Sequence, residues 1–133
     1  MNLQQKKIAK QCKQGAEDNT MDFPSIVKQL SQAGFERYLV DFNKSTIIYY
    51  LPSGENLTLR ASRDKSFIAE RLDAATVQIA IREAQEKVEG FSYKGFCKKV
   101  MDAGCAGYLV SFLGKRVLYF GRTGEIHVEH FPD

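Results

Sequence analysis

Residues 33–59 read AGFERYLVDFNKSTIIYYLPSGENLTL, and residues 103–129 read AGCAGYLVSFLGKRVLYFGRTGEIHVE. The second stretch lies 70 residues after the first, and at that offset the wider segments 22–59 and 92–129 align without a gap. Ten of their 38 positions are identical: Lys28/Lys98, Ala33/Ala103, Gly34/Gly104, Tyr38/Tyr108, Leu39/Leu109, Val40/Val110, Phe42/Phe112, Tyr49/Tyr119, Gly54/Gly124 and Glu55/Glu125. Ordinary amino-acid usage gives roughly two or three identities at an arbitrary shift of that length. The matches fall where geometry is demanding, at an Ala-Gly helix end, along an alternating strand and in a Gly-Glu turn. The chain therefore reads as one domain over 1–133 built from two repeats, 22–60 and 92–130.

Each repeat reads as a helix followed by three strands. Asp22 suits the N-cap of the first helix, with Pro24 close behind it, and Ser92 suits the second. Ile26, Val27, Leu30 and Ala33 recur at helical spacing in one copy, as do Phe96, Cys97, Val100 and Met101 in the other. Gly34 and Gly104 supply the stops. Tyr38, Val40 and Phe42 then alternate with Leu39 and Asp41, the pattern of a half-buried strand, and Tyr108, Val110 and Phe112 repeat it. Thr46–Leu51 and Lys115–Phe120 are dense in β-branched and aromatic residues and read as interior strands. Short polar turns make hairpins of these pairs. The third strands are Asn56–Arg60 and Ile126–His130, entered through Ser53-Gly54 and Thr123-Gly124.

A helix over about 73–89 joins the copies, with Val77, Ala80, Ile81, Ala84 and Val88 on one stripe and Gly90 as its stop. Ala61–Lys65 reads as a loop. The N-terminal helix carries only a thin apolar stripe of Leu3, Ile8, Cys12 and Ala16, so it lies on the surface or docks on a partner. Two helix–meander units that each leave an apolar face exposed bury those faces together. The expected architecture is α+β with pseudo-twofold symmetry, six antiparallel strands and helices on one side. Whether the strands form one sheet or two stays open.

Composition bounds the rest. The chain is 44% hydrophobic and 26% charged, as a folded domain should be, and has no apolar stretch long enough to span a bilayer. Met1–Gln14 has no apolar core of a signal peptide, and three cysteines cannot all pair within the chain. Reduced thiols in the cytoplasm follow as the expectation. A net charge of +3 is too small to argue for nucleic acid. Lys6, Lys7, Lys10 and Lys13 read as a solvated helix face rather than a phosphate-binding arm.

The copies disagree in the third strand. At the ungapped register His127 and Glu129 occupy the positions of Leu57 and Leu59. Alternate residues share a face, so an imidazole and a carboxylate would point where copy one sends leucines. Either a bulge near Gly124 restores Ile126 and Val128 to the core, leaving His127 and Glu129 in solvent, or the two polar residues replaced leucines for a purpose. In the second case Arg122, Glu125 or a tyrosine hydroxyl would have to partner them, because burying them unpaired is expensive. Arg122, Glu125, His127, Glu129 and His130 are the candidate ligand-binding residues. His130 points away from His127, and no second ligand pair is spaced for a metal, so no metal or cofactor is expected. Cys97 and Cys105 read as small core residues rather than partners of a histidine. Gly121–Glu125 lacks the Lys-Ser/Thr of a phosphate loop and reads as a turn. Tyr49, Tyr50, Tyr108 and Tyr119, with Phe42, Phe112 and Phe120, read as core and rim more readily than as a stacking platform.

The runs Tyr93-Lys94-Gly95-Phe96-Cys97, Ala103-Gly104-Cys105-Ala106-Gly107-Tyr108, Tyr119–Glu125 and His127-Val128-Glu129-His130-Phe131-Pro132 together resemble a prophage-associated bacterial family of unknown function, typified by YbcV and YdfO. Phe23-Pro24, Ala33-Gly34 and Tyr49-Tyr50-Leu51-Pro52 agree with it in the first half. The resemblance implies a phage-linked setting and brings no enzyme activity, cofactor or catalytic set. The sequence thus favours an interaction or regulatory module acting on a protein partner or a second copy of itself. The alternative is a small-ligand-binding or hydrolytic domain around Arg122, His127 and Glu129.

Overall fold

A computed structural model describes residues 1–62 and 66–132. Residues 63–65, the greater part of the loop expected at Ala61–Lys65, lie outside the described residues. The elements run α1 (Leu3–Glu17), α2 (Phe23–Gln32), β1 (Arg37–Asp41), β2 (Thr46–Tyr50), β3 (Asn56–Arg60), α3 (Ala74–Glu86), α4 (Tyr93–Asp102), β4 (Cys105–Ser111), β5 (Arg116–Gly121) and β6 (Ile126–His130). The fold is α+β, as the patterning requires.

The strands form one antiparallel sheet of order β3-β2-β1-β4-β5-β6. A three-stranded meander leaves one edge of its first strand with unpaired N–H and C=O groups. Pairing β1 with β4 satisfies both such edges at once. Leu39 faces Leu109 across that pair, and these two residues are each other's counterparts at the 70-residue offset. Arg37 faces Ser111, while their counterparts Gly107 and Asp41 face each other. The register is therefore symmetric about the Leu39/Leu109 pair.

Two rows of side chains cross the helix-covered face. One runs Leu57, Tyr49, Tyr38, Val110, Val117, Glu129. The other runs Leu59, Ile47, Val40, Tyr108, Tyr119, His127. Reversed, each row is the other's counterpart, with Ile47 matched by Val117 and the two leucines replaced at positions 127 and 129. The central members are buried and join one core with Ile26 and Leu30 of α2 and with Phe96, Cys97, Val100 and Met101 of α4. Truncating a fully enclosed member such as Leu30 to alanine should cost about 2–5 kcal/mol.

The helices start where their caps dictate. Asp22 accepts a hydrogen bond from the Ser25 N–H at 3.0 Å, and Ser92 does the same for Gly95 at 3.0 Å. Asn2 and Gln5 form a reciprocal capping box on α1. That helix docks within its own chain, against α2 and α4. Its buried residues are Ala9, Cys12 and Gly15, while Leu3 is 84% exposed. The thin stripe was real but rotated toward its small residues, which allow close approach. Gly104 ends α4 at φ 93°, and a Cβ there would clash with the Arg71 carbonyl oxygen. Space as well as conformation therefore demands glycine.

The connecting helix differs from expectation at its end. It stops at Glu86 rather than near residue 89, because Lys87 itself takes the left-handed conformation at φ 50°. The Val88 N–H then reaches back to the Glu83 carbonyl at 3.2 Å, closing the helix before Gly90 is reached.

Candidate functional site

The third strand of the second half keeps the ungapped register. His127 sits opposite Tyr119 and Glu129 opposite Val117, as Leu57 and Leu59 sit opposite Tyr49 and Ile47. No bulge returns Ile126 to the core, and that residue is 57% exposed. His127 and Glu129 therefore face the helices. They lie on an edge strand, and like Leu57 and Leu59 they are half-buried rather than enclosed.

His127 Nε2 lies 2.8 Å from the Gln78 side-chain oxygen on α3, which accepts a hydrogen bond from the ring N–H. The same nitrogen is 3.5 Å from the nearer Glu129 oxygen. The histidine ring stands 6.3 Å from the Tyr119 ring. Gln78 is the partner that sequence reasoning missed: it comes from α3, the helix that precedes α4 as α1 precedes α2.

The other candidates go elsewhere. Arg122 donates to the Ile68 carbonyl at 3.1 Å and lies over the Phe67 ring, so it clamps the segment before α3 to the β5–β6 turn. Glu125 is exposed and accepts from the Thr123 hydroxyl at 2.6 Å. His130 is exposed at the end of β6. Cys105 donates through Sγ to the Gly107 carbonyl at 3.1 Å, and burial pushes its thiol up to about 11. Among the described residues no three His, Cys, Asp or Glu side chains gather as a metal site, and no helix is long and apolar enough to cross a membrane.

The structure instead opens a cavity of about 630 Å³ between the helix layer and the sheet. Its floor carries Tyr38, Tyr49, Tyr108 and Tyr119, and Glu129 and His130 enter its wall from β6. The α1–α2 turn, the α3–α4 turn and Phe131 complete the enclosure. Phe131 packs edge-on against Phe23 with centroids 5.6 Å apart, joining the end of the sheet to the start of α2.

The phenols define the cavity's chemistry. Tyr108 shares a 2.7 Å hydrogen bond with the Tyr93 hydroxyl. Tyr38, Tyr49 and Tyr119 are buried, yet among the described residues their hydroxyls meet no hydrogen-bonding partner. Burial is the main force raising the phenols of Tyr38, Tyr49, Tyr108 and Tyr119, which keeps them protonated as donors. Buried polar groups ordinarily find partners, so three unpaired hydroxyls on one cavity call for an occupant or ordered water. The signal was present in the repeat: Tyr38/Tyr108 and Tyr49/Tyr119 are two of its identities, and phenylalanine would have packed as well without the hydroxyl.

No curated protein matches the chain. A family of proteins does match, over residues 6–130, a span that includes both helix–meander halves, the helix between them and most of the cavity wall. By that match the chain belongs to the family described as "Protein of unknown function (DUF1398)".

Proposed function

We propose that this chain is a small-ligand-binding domain whose site is the tyrosine-floored cavity. The observation that carries the reading is the set of three buried hydroxyls without partners among the described residues, on a cavity large enough for a small organic ligand. Such a site holds an apolar body against ring faces and fixes its orientation through a few polar groups. Glu129 and His130 belong to this site, His127 stands beside Glu129 bonded to Gln78, and Arg122 and Glu125 are structural. The reading invokes no covalent step. It takes the two halves as duplicated copies within one domain, in the phage-linked setting that the sequence resemblance implies and in the reducing cytoplasm that the unpaired cysteines suggest.

The neutral fluorophore N-phenyl-1-naphthylamine tests the reading. Saturable binding with enhanced emission is expected, and Ala84→Phe, which fills the wall from α3, should abolish it while the protein stays folded. Binding that survives this substitution, or no binding by the intact protein, would refute the cavity as the site.

An interaction module remains a second reading, and the uncovered face of the sheet favours it. There Ile48, Leu39, Leu109, Leu118 and Val128 stand side by side across five strands, outside the core cluster. Leu118→Asp should leave the fold intact and abolish any self-association seen by light scattering.

A further inference from the structure

Charged side chains reach the cavity from four elements, and most are already neutralised. Lys13 pairs with Glu17 at 3.2 Å. Lys87 pairs with Asp22 at 2.9 Å, and Asp22 also caps α2. Among the described residues Glu129 has no Lys or Arg partner; its one ion-pair neighbour is the His127 ring at 3.5 Å, whose Nε2–H already points at Gln78. Among the described residues the cavity wall therefore carries one carboxylate with no lysine or arginine beside it.

That carboxylate stands among aromatic rings. Phe131 follows it two residues later on the same face, with Phe23 against it. Tyr119 lies on the adjacent strand, one row away. Ring faces are electron-rich, and they attract organic cations most strongly where water is scarce. A carboxylate would repel an anionic ligand and would gain nothing from a purely apolar one.

We propose that the cavity selects a monovalent organic cation, a quaternary or protonated amine on an aromatic or aliphatic body, held by Glu129 and the rings of Tyr119 and Phe131. This rests on the small-ligand reading of the same cavity. The cationic head sits at the β6 wall, and the body lies over Tyr38 and Tyr49, whose free hydroxyls meet its polar atoms.

Benzyltrimethylammonium and its neutral isostere neopentylbenzene have the same shape and differ in charge. Each is titrated against bound N-phenyl-1-naphthylamine, with protein chemical shifts followed in parallel. The cation should displace the fluorophore at least tenfold more effectively than the isostere, a difference of about 1.4 kcal/mol. Glu129→Gln should remove most of that preference, with each competitor's displacement read against the fluorophore's own affinity for the same variant. Glu125→Gln, on the exposed turn, should change neither. If the fluorophore binds but cation and isostere compete equally, or if Glu129→Gln leaves the preference intact, the charge inference is wrong while the cavity reading stands. If the fluorophore does not bind, both fall. Should Glu129→Gln melt early, Phe131→Leu tests the ring contribution: it should weaken the cation more than the isostere, and equal weakening counts against the proposal.

Discussion

Removing one oxygen atom from Tyr38 tests the central feature of the site. In most cores Tyr→Phe is destabilising because the hydroxyl has a partner that is left stranded. Tyr38 is buried with no such partner among the described residues. Its hydroxyl is either hydrated by cavity water or unsatisfied, and an unsatisfied buried hydroxyl costs about 1–3 kcal/mol. Tyr38→Phe should therefore leave the unliganded protein's stability within about 0.5 kcal/mol, or raise it by up to about 1 kcal/mol. Tyr108→Phe is the matched control, at the same place in the other half. It removes the 2.7 Å bond to Tyr93 and should cost about 1–2 kcal/mol. For a chain of 133 residues, 1 kcal/mol corresponds to about 3–4 °C in Tm. Tyr108→Phe should thus melt some 4–7 °C early, whereas Tyr38→Phe should melt at or above the parent temperature. Urea unfolding with an unchanged m-value gives the free energies. A loss at Tyr38 equal to that at Tyr108 would show that its hydroxyl is already satisfied within the fold, and the argument for an occupant would collapse.

Other expectations follow from the same geometry. Gly104→Ala and Gly54→Ala both place alanine at positive φ, 93° and 95°, but only Gly104 faces a carbonyl oxygen. Chemical denaturation should show a loss of about 1 kcal/mol at Gly54 and well over 2 kcal/mol at Gly104. The Lys87 ammonium and the α2 cap hold the Asp22 carboxyl down to about 2, below its unfolded value of roughly 3.9. Its contribution is present above pH 4 and lost as pH falls toward 2. Asp22→Asn keeps the cap but loses the pair, so its small deficit, about 0.5 kcal/mol for so exposed a group, should vanish near pH 2. Burial pushes the thiols of Cys12 and Cys105 up to about 11. In folded protein at pH 8 both should react with a disulfide reagent at least roughly 100-fold more slowly than in urea. Fast native labelling of either would contradict the packing.

Much of the fold could be read along the chain because its determinants are local. Caps at Asp22 and Ser92, stops at Gly34 and Gly104, and alternation at Tyr38–Phe42 act within a few residues, and the third strands fall at Asn56–Arg60 and Ile126–His130 as expected. The end of α3 was missed because Lys87 bears the left-handed turn usually left to glycine. The site was less legible. Comparing the copies singled out His127 and Glu129 but left their face open between a bulge near Gly124 and the ungapped register, which the pairing of β5 with β6 decides. It could not show that Arg122 would spend its donors on the Ile68 carbonyl, or that Gln78 would meet His127, since those partners lie 54 and 49 residues away.

By itself, then, the sequence determined two helix–meander units, the faces of their first strands, and the one strand in which they differ. These follow from backbone sterics and the two-residue and 3.6-residue periods, which need no knowledge of distant partners. Only the tertiary structure decided that the six strands make one sheet joined through β1 and β4, and that four tyrosines which could have been ordinary core line a cavity instead. The physical reason is that a void is a property of what fails to touch. Each tyrosine's neighbours along the chain are compatible with a filled core, and the space above Tyr38 and Tyr49 arises only from where α1, α2, α3 and α4 come to rest.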